Sequence, residues 1–390
     1  MLFQNNGKQP RKRSYYPFSK NYPTKTGNTY EIGESRTKRK REERNRVIFY
    51  VSLIFLFALV FVIACVSLTL SRRPIQLNNT GKAAQYDGKL KALCLPDDAL
   101  GGGIAYTLFK GELTDIKANA VVIDFKTDDG MLHYNSLNED ALSIGACATV
   151  YGNANNVIHA LKDDGYKIIA RVHCFKDPLA ASVINGAAVK EADGETVWLD
   201  NSAQKDGNPW LNPFSDKAKE YLYGIISECV KTGADVVLLD SVCFPDSSRV
   251  SGAVFPGEET ETQSRNTALH NFVSEAASLC GDIPLALYLN CDSALNGNDM
   301  LYAGSMFDSE AIFDAVDFRN SAVDGEIKID STVYMKDEIN EGLCIGKSVP
   351  ILKEKLDDNF SSKAIIPIIS DKEYIEMLQN LGIENYILVK

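Results

Sequence analysis

No Cys-x-x-Cys pair occurs in this 390-residue chain, and no cysteine or histidine spacing suits structural zinc. That removes zinc ribbons and the common dithiol redox folds from consideration. No Gly-x-Gly-x-x-Gly follows a first strand, and no internal repeat is visible, so neither a dinucleotide-binding fold nor a solenoid is indicated. The body of the chain also lacks a basic surface. Residues 1–46 hold 13 Lys and Arg against 4 Glu, which leaves a net charge of −20 for the rest of a chain at −11 overall. An acidic body is unsuited to phosphate backbones, so nucleic acid is not an expected partner.

One further absence carries information. Residues 47–70, VIFYVSLIFLFALVFVIACVSLTL, contain no charge, no proline and no glycine. Twenty-four such residues suffice for a helix to cross a bilayer. The flank RTKRKREERNR precedes them, while Arg72 and Arg73 are the near cations beyond. This excess predicts a single-pass anchor with a cytoplasmic N-terminus and residues 71–390 outside the cell. Val62-Ile63-Ala64-Cys65 faintly resembles a lipoprotein cleavage box, but the apolar run continues past it. The expected divisions are therefore a disordered basic tail (1–46), the transmembrane helix (47–70), a linker (71–90) and an extracytoplasmic domain (91–390).

Eight of the nine cysteines lie beyond residue 70, an even number that permits disulfides in an external domain without fixing their pairing. Cys229 and Cys280 sit on helix faces that look buried, where a thiol packs as a small hydrophobe.

From residue 91 onward, short apolar runs alternate with amphipathic stretches. The runs are 102–107, 120–126, 167–175, 234–242, 284–292, 315–318, 364–370 and 385–390. Two intervening helices have clear ends: Ser215 to Gly233, and ETQSRNTALHNFVSEAASLCG ending at Gly281. Ser370 and Glu373 have the spacing of a capping box. About eight strand–helix units over roughly 300 residues predict an α/β fold, a (β/α)8 TIM-like barrel, with a doubly wound open sheet as the alternative.

Strand parity then groups the polar residues. One face of the second strand carries Val122, Asp124 and Lys126; the fourth carries Val236, Leu238 and Asp240; the fifth carries Tyr288, Asn290 and Asp292. The third offers Arg171 and His173. All fall at the C-terminal strand ends, where barrel enzymes build their sites. The plainer reading of each is also expected somewhere: Asp124 with Lys126 as an internal ion pair, His173 as a core residue.

These motifs carry a family likeness. VVIDFKTDDGMLHYNS, ARVHCFKDPLAA, GNPWLNP and VVLLDSVCFPD occur in that order, and together they resemble a glycoside hydrolase barrel family catalogued as a domain of unknown function and distantly related to the α-amylase clan. The resemblance implies Asp240 as nucleophile and places Asp292 where the family has an acidic residue after strand five. It matches Asp124 and Lys126 to the second-strand pair, Arg171, Lys176, Asp177 and Pro178 to the third-strand motif, and Trp210, Asn212 and Pro213 to the motif before the next helix. Departures are present: Ser241 and Cys243 stand where the family has Tyr and Arg, the sixth strand lacks Tyr-Pro-Ser, and the last lacks tryptophan.

The activity this resemblance implies is that of a glycosidase working with two carboxylates on a cell-surface or environmental polysaccharide. Asp240 attacks or stabilises the oxocarbenium centre, and Asp292 protonates the leaving oxygen. Lys126 and Arg171 are expected to hold Asp240 ionised, and Trp210 and Tyr288 to stack on sugar. Substrate contacts are expected from Asp124, Lys126, Arg171, His173, Lys176, Asp177, Trp210, Tyr288 and Asn290, with no metal or cofactor. The alternative is a degenerate barrel that binds a surface glycan or peptidoglycan without cleaving it.

Overall fold

A computed structural model describes residues 27–71, 89–147, 154–258, 264–319, 325–359 and 363–390. The chain divides into two units, residues 1–70 and 71–390.

In the first unit, helix α1 runs over Gly27–Ser71. Its stretch Lys38–Val66 is long and apolar enough to cross a membrane. The basic residues 38–46 are helical, continuous with the apolar run, and so differ from the disordered segment expected there. Most of the expected linker, residues 72–88, lies outside the described residues, as do residues 1–26 of the tail.

The second unit is a closed barrel of eight parallel strands. They are β1 (Lys91–Cys94), β2 (Ala120–Lys126), β3 (Lys167–His173), β4 (Val236–Asp240), β5 (Leu285–Asn290), β6 (Phe313–Asp317), β7 (Ala364–Ile369) and β8 (Tyr386–Leu388). Strand order follows the chain around the ring, and β8 closes onto β1. The strands are nearly continuous apolar runs because both faces are covered. Inward residues such as Val122, Ile169, Leu238, Phe313, Ile366 and Ile387 fill the barrel. Outward residues such as Val121, Leu239 and Leu287 pack beneath the helices.

The principal helices of this unit are α2 (Gly103–Asp115), α3 (Ala154–Asp163), α4 (Asp216–Thr232), α5 (Arg265–Cys280), α6 (Cys291–Asn296), α7 (Glu341–Asn359) and α8 (Glu373–Asn380). The two best-marked ends are as read from sequence. Ser215 Oγ accepts from Ala218 N, and Gly233 closes α4 in the left-handed region at φ 89°. Ser264 caps α5, and Gly281 follows it at φ 58°. Along α4, Tyr221, Leu222, Ile225, Ile226 and Cys229 face the core. Cys229 and Cys280 are both buried, and burial pushes the Cys280 thiol up to about 12.

Two expectations are corrected. Residues 102–107 begin a helix, and the first strand lies earlier, at Lys91–Cys94. Ser370 and Glu373 form no capping box: the Ser370 hydroxyl donates to Glu341, and Glu373 N donates to Asp371 Oδ1 at 2.9 Å.

Candidate active site

The C-terminal strand ends set a ring of polar side chains around the barrel axis. Strand β2 contributes Asp124, the last residue before an irregularity that shifts its pairing with β3 between Asp124 and Lys126. Asp124 receives both Nε and Nη2 of Arg171 from the neighbouring strand, the latter at 2.6 Å. A fork of this kind holds both planes in one orientation. The Arg171 guanidinium is held far above its ordinary range by that carboxylate, against the opposing effect of burial.

The irregularity sends Lys126 elsewhere. Its Nζ lies 2.8 Å from Asp177 Oδ2 and donates to the carbonyl of His173 at 2.7 Å, with both ion-pair side chains wholly buried. Asp177 also caps the short helix Pro178–Val183 by accepting from Ala180 N at 2.7 Å. Lys126 and Asp177 are therefore committed to each other inside the wall, and Lys126 is not the partner of Asp240 that was expected. Gly130, at φ 91°, passes so close that a Cβ there would meet Asp177 Oδ1 at 2.2 Å. Lys176 is partly exposed and pairs with Asp128 at 2.6 Å.

Asp240 ends β4, 7% exposed. Its carbonyl accepts from Cys174 N at 2.8 Å, which ties the end of β4 to β3. The side chain faces two uncharged or weakly basic neighbours. Ser241 Oγ donates to Asp240 Oδ1 at 3.2 Å, and His173 Nδ1 lies 3.7 Å from the same oxygen. Ser241 adopts φ 55°, a left-handed conformation uncommon outside glycine, which brings its hydroxyl back between the two side chains. Burial lowers the His173 pKa below 6.5, with Asp240 opposing that shift.

Strand β5 ends one residue pair sooner than parity reasoning assumed. Tyr288 faces the axis, and its hydroxyl donates to Asp317 Oδ2 at 2.7 Å. Burial, then Asp317 and Asp240, push the Tyr288 pKa well up. Asn290 turns to cap α6, accepting from Ser293 N at 2.7 Å. Asp292 consequently belongs to the first turn of α6 rather than to the strand, and its Oδ1 accepts from Asn296 Nδ2 at 2.7 Å.

Sequence reasoning passed over several residues. Asp317, at the end of β6, accepts Arg319 Nε at 3.0 Å and Nη2 at 2.8 Å as well as Tyr288. Cys94, at the end of β1, feels both carboxylate–arginine pairs, and burial raises its thiol to about 11. The signal for Asp317 was present: a strand ending on aspartate, as in β4. Trp210, expected to stack on sugar, is 7% exposed and donates Nε1 to Asp200 Oδ2 at 3.0 Å, so it belongs to the wall.

Asp124, Asp240 and Asp317 thus occupy the inward positions of three strands, and the first and last are each clasped by an arginine. Among the described residues, no three His, Cys, Asp or Glu side chains cluster as a metal-ligand set.

Residues 112–286 match the family described as "Putative glycosyl hydrolase domain". This part of the chain is glycoside hydrolase-like. The match contains Asp124, Arg171 and Asp240, whereas Asp292 and Asp317 lie beyond it. It supports a glycosidase-like function, and no curated protein matches. Among solved structures, a hypothetical protein from Ruminiclostridium thermocellum ATCC 27405 is 27% identical over 50% of this chain and 96% of its own, with TM-score 0.44. Aspergillus fumigatus Ega3 in complex with galactosamine is 12% identical over 80% of this chain and 96% of its own, TM-score 0.37. The glycoside hydrolase domain of PelA from Pseudomonas aeruginosa is 12% identical over 70% and 88%, TM-score 0.35.

Proposed function

We propose that this glycoside hydrolase-like barrel is a membrane-anchored, extracytoplasmic glycosidase that cleaves a cell-surface or environmental polysaccharide with two carboxylates. The observation that carries the reading is the state of Asp240. Of the three axis-facing carboxylates, Asp124 and Asp317 each hold a guanidinium on both oxygens, while the neighbours of Asp240 are Ser241 and His173. A carboxylate in that position can approach an anomeric carbon or stabilise the positive charge that develops there. Asp292 supplies the proton to the leaving oxygen, from the first turn of α6 beside the mouth. Asp124 and Arg171, with Tyr288, Asn290 and Lys176, offer hydrogen bonds to sugar hydroxyls. The basic flank of the apolar helix favours a cytoplasmic N-terminus, leaving the barrel outside.

The full chain in detergent, incubated with a panel of polysaccharides, should release new reducing ends, and Asp240→Asn should abolish that release. A structure that places the Asp240 and Asp292 carboxyls about 5–5.5 Å apart fits a retaining outcome, and about 6.5–9.5 Å an inverting one. A separation beyond both windows, with no reducing ends from any glycan, sinks the two-carboxylate reading.

The two arginine clasps favour a second reading, a barrel that binds glycan without cutting it. Two of the inward carboxylates are then structural, and the buried Trp210 leaves the mouth poor in stacking faces. Saturable glycan binding by both the wild type and Asp240→Asn, without cleavage by either, would select it.

A further inference from the structure

Cys291 and Cys344 stand apart from the other cysteines. Their sulfurs are 3.4 Å apart, both side chains are fully buried, and 53 residues separate them in the chain. Cys291 opens α6, immediately after Asn290 and before Asp292. Cys344 lies in the first turns of α7, the longest helix of the barrel unit, with Ser348 Oγ 3.6 Å from its sulfur. The two helices pack directly on each other. Among the described residues this is the one sulfur–sulfur contact of the nine cysteines, all of them reduced in the structure.

We infer that Cys291 and Cys344 form a disulfide in the mature protein, a staple between the helix that carries Asp292 and the long helix behind it. The sulfurs need to approach by only about 1.3 Å to reach bonding distance. An external domain meets the oxidising conditions that such a bond requires, so the inference rests on the extracytoplasmic placement proposed above. The chemistry is two exchanges. One cysteine thiolate attacks a donor disulfide, that of an oxidoreductase or of oxidised glutathione, and expels one donor thiolate. The second cysteine attacks the mixed disulfide and expels the other. The protein loses two protons and two electrons, and the donor disulfide is reduced to two thiols. Both cysteines lie out of solvent once folded, so closure belongs to folding, before α6 and α7 dock. The finished bond is then shielded from exchange, as a structural bridge is.

The test uses the full chain and separates the pairing from the placement. In one arm the chain is synthesised cell-free into detergent micelles with an oxidised and reduced glutathione couple, alkylated, digested without reductant and read by mass spectrometry. A dominant Cys291–Cys344 cross-linked peptide is expected; scrambled pairs, or both residues alkylated, overturn the inference wherever the domain resides. In the other arm intact cells are treated with protease and, separately, alkylated at once. A protease-accessible barrel carrying both cysteines as alkylated thiols also overturns it. A protected barrel overturns the placement instead, and the pairing then stands or falls on the cell-free result. Reductant should lower the melting temperature of the bridged protein by about 5 °C and leave a Cys291→Ser, Cys344→Ser double variant unmoved.

Discussion

Lys126 Nζ lies 2.8 Å from Asp177 Oδ2 with neither side chain reached by solvent. Removing one member of such a pair leaves the other charged and buried, at a cost of roughly 3–5 kcal/mol. Lys126→Met should therefore destabilise the barrel by about that amount in a denaturant titration, since Asp177 loses the ammonium paired with it while still accepting from Ala180 N. If the lysine served substrate instead, the variant would unfold at nearly the wild-type denaturant concentration and lose only function.

Gly130 offers an independent check on the same wall. Its φ of 91° already disfavours a side chain, and a Cβ would meet Asp177 Oδ1 at 2.2 Å and the Leu179 Cβ at 2.8 Å. Gly130→Ala is expected to cost more than about 2 kcal/mol, because backbone strain and the displaced carboxylate add. Gly145, at φ 78° with open space around its Cβ position, bears the strain alone. Gly145→Ala should therefore cost visibly less in the same melt, and equal losses would remove Asp177 from the explanation.

His173 gives the site a pH dependence whose sign can be worked out. Its folded pKa lies below the ordinary 6.5 because burial penalises the imidazolium more than Asp240 favours it. Between 6.5 and the lowered value the unfolded chain binds the additional proton, so stability falls as pH falls through that window. The charges of Asp240 and Asp124 favour the imidazolium, while those of Arg171 and Lys126 oppose it. His173→Gln should flatten the dependence of melting temperature on pH below about 6.5. An unchanged slope would place its origin elsewhere.

Much of this architecture could be read in the chain because the strands are apolar runs bounded by polar residues. Seven of the eight runs coincide with barrel strands, and parity alone puts Asp124, Arg171 and Asp240 on the inward face. The first strand escaped because Lys91–Cys94 is four residues long, too short to show a pattern. The glycines at 102 and 103 (φ 80° and 68°) start a helix on which Ile104 and Leu108 are exposed, so apolar content there misled. Lys126 and Asp292 were displaced for local reasons. An irregular register follows Asp124, and β5 gives way to a helix as soon as Asn290 can cap it. Period-2 reasoning cannot foresee either event, because both are settled by hydrogen bonds beyond the strand. The Arg319–Asp317 clasp spans two residues and depends on where β6 stops, which the weak run AVDF left open.

Asp240→Asn tests the site most directly, because it keeps the shape of the side chain and removes its charge. The residue is buried at a strand end, yet its side-chain neighbours are a hydroxyl and an imidazole rather than a lysine or arginine. An amide oxygen can still accept from Ser241, so the melting temperature should stay within about 2 °C of wild type. Turnover should fall by at least about a thousandfold if the carboxylate meets the reacting carbon, since no nearby group can replace it as a nucleophile. Arg319→Met provides the contrast: it releases Asp317 from its clasp and should alter the affinity for glycan more than the rate of the chemical step. A large drop in the melting temperature of Asp240→Asn, with activity per folded molecule preserved, would make the aspartate a structural element of the strand end. The catalytic assignment would then fail.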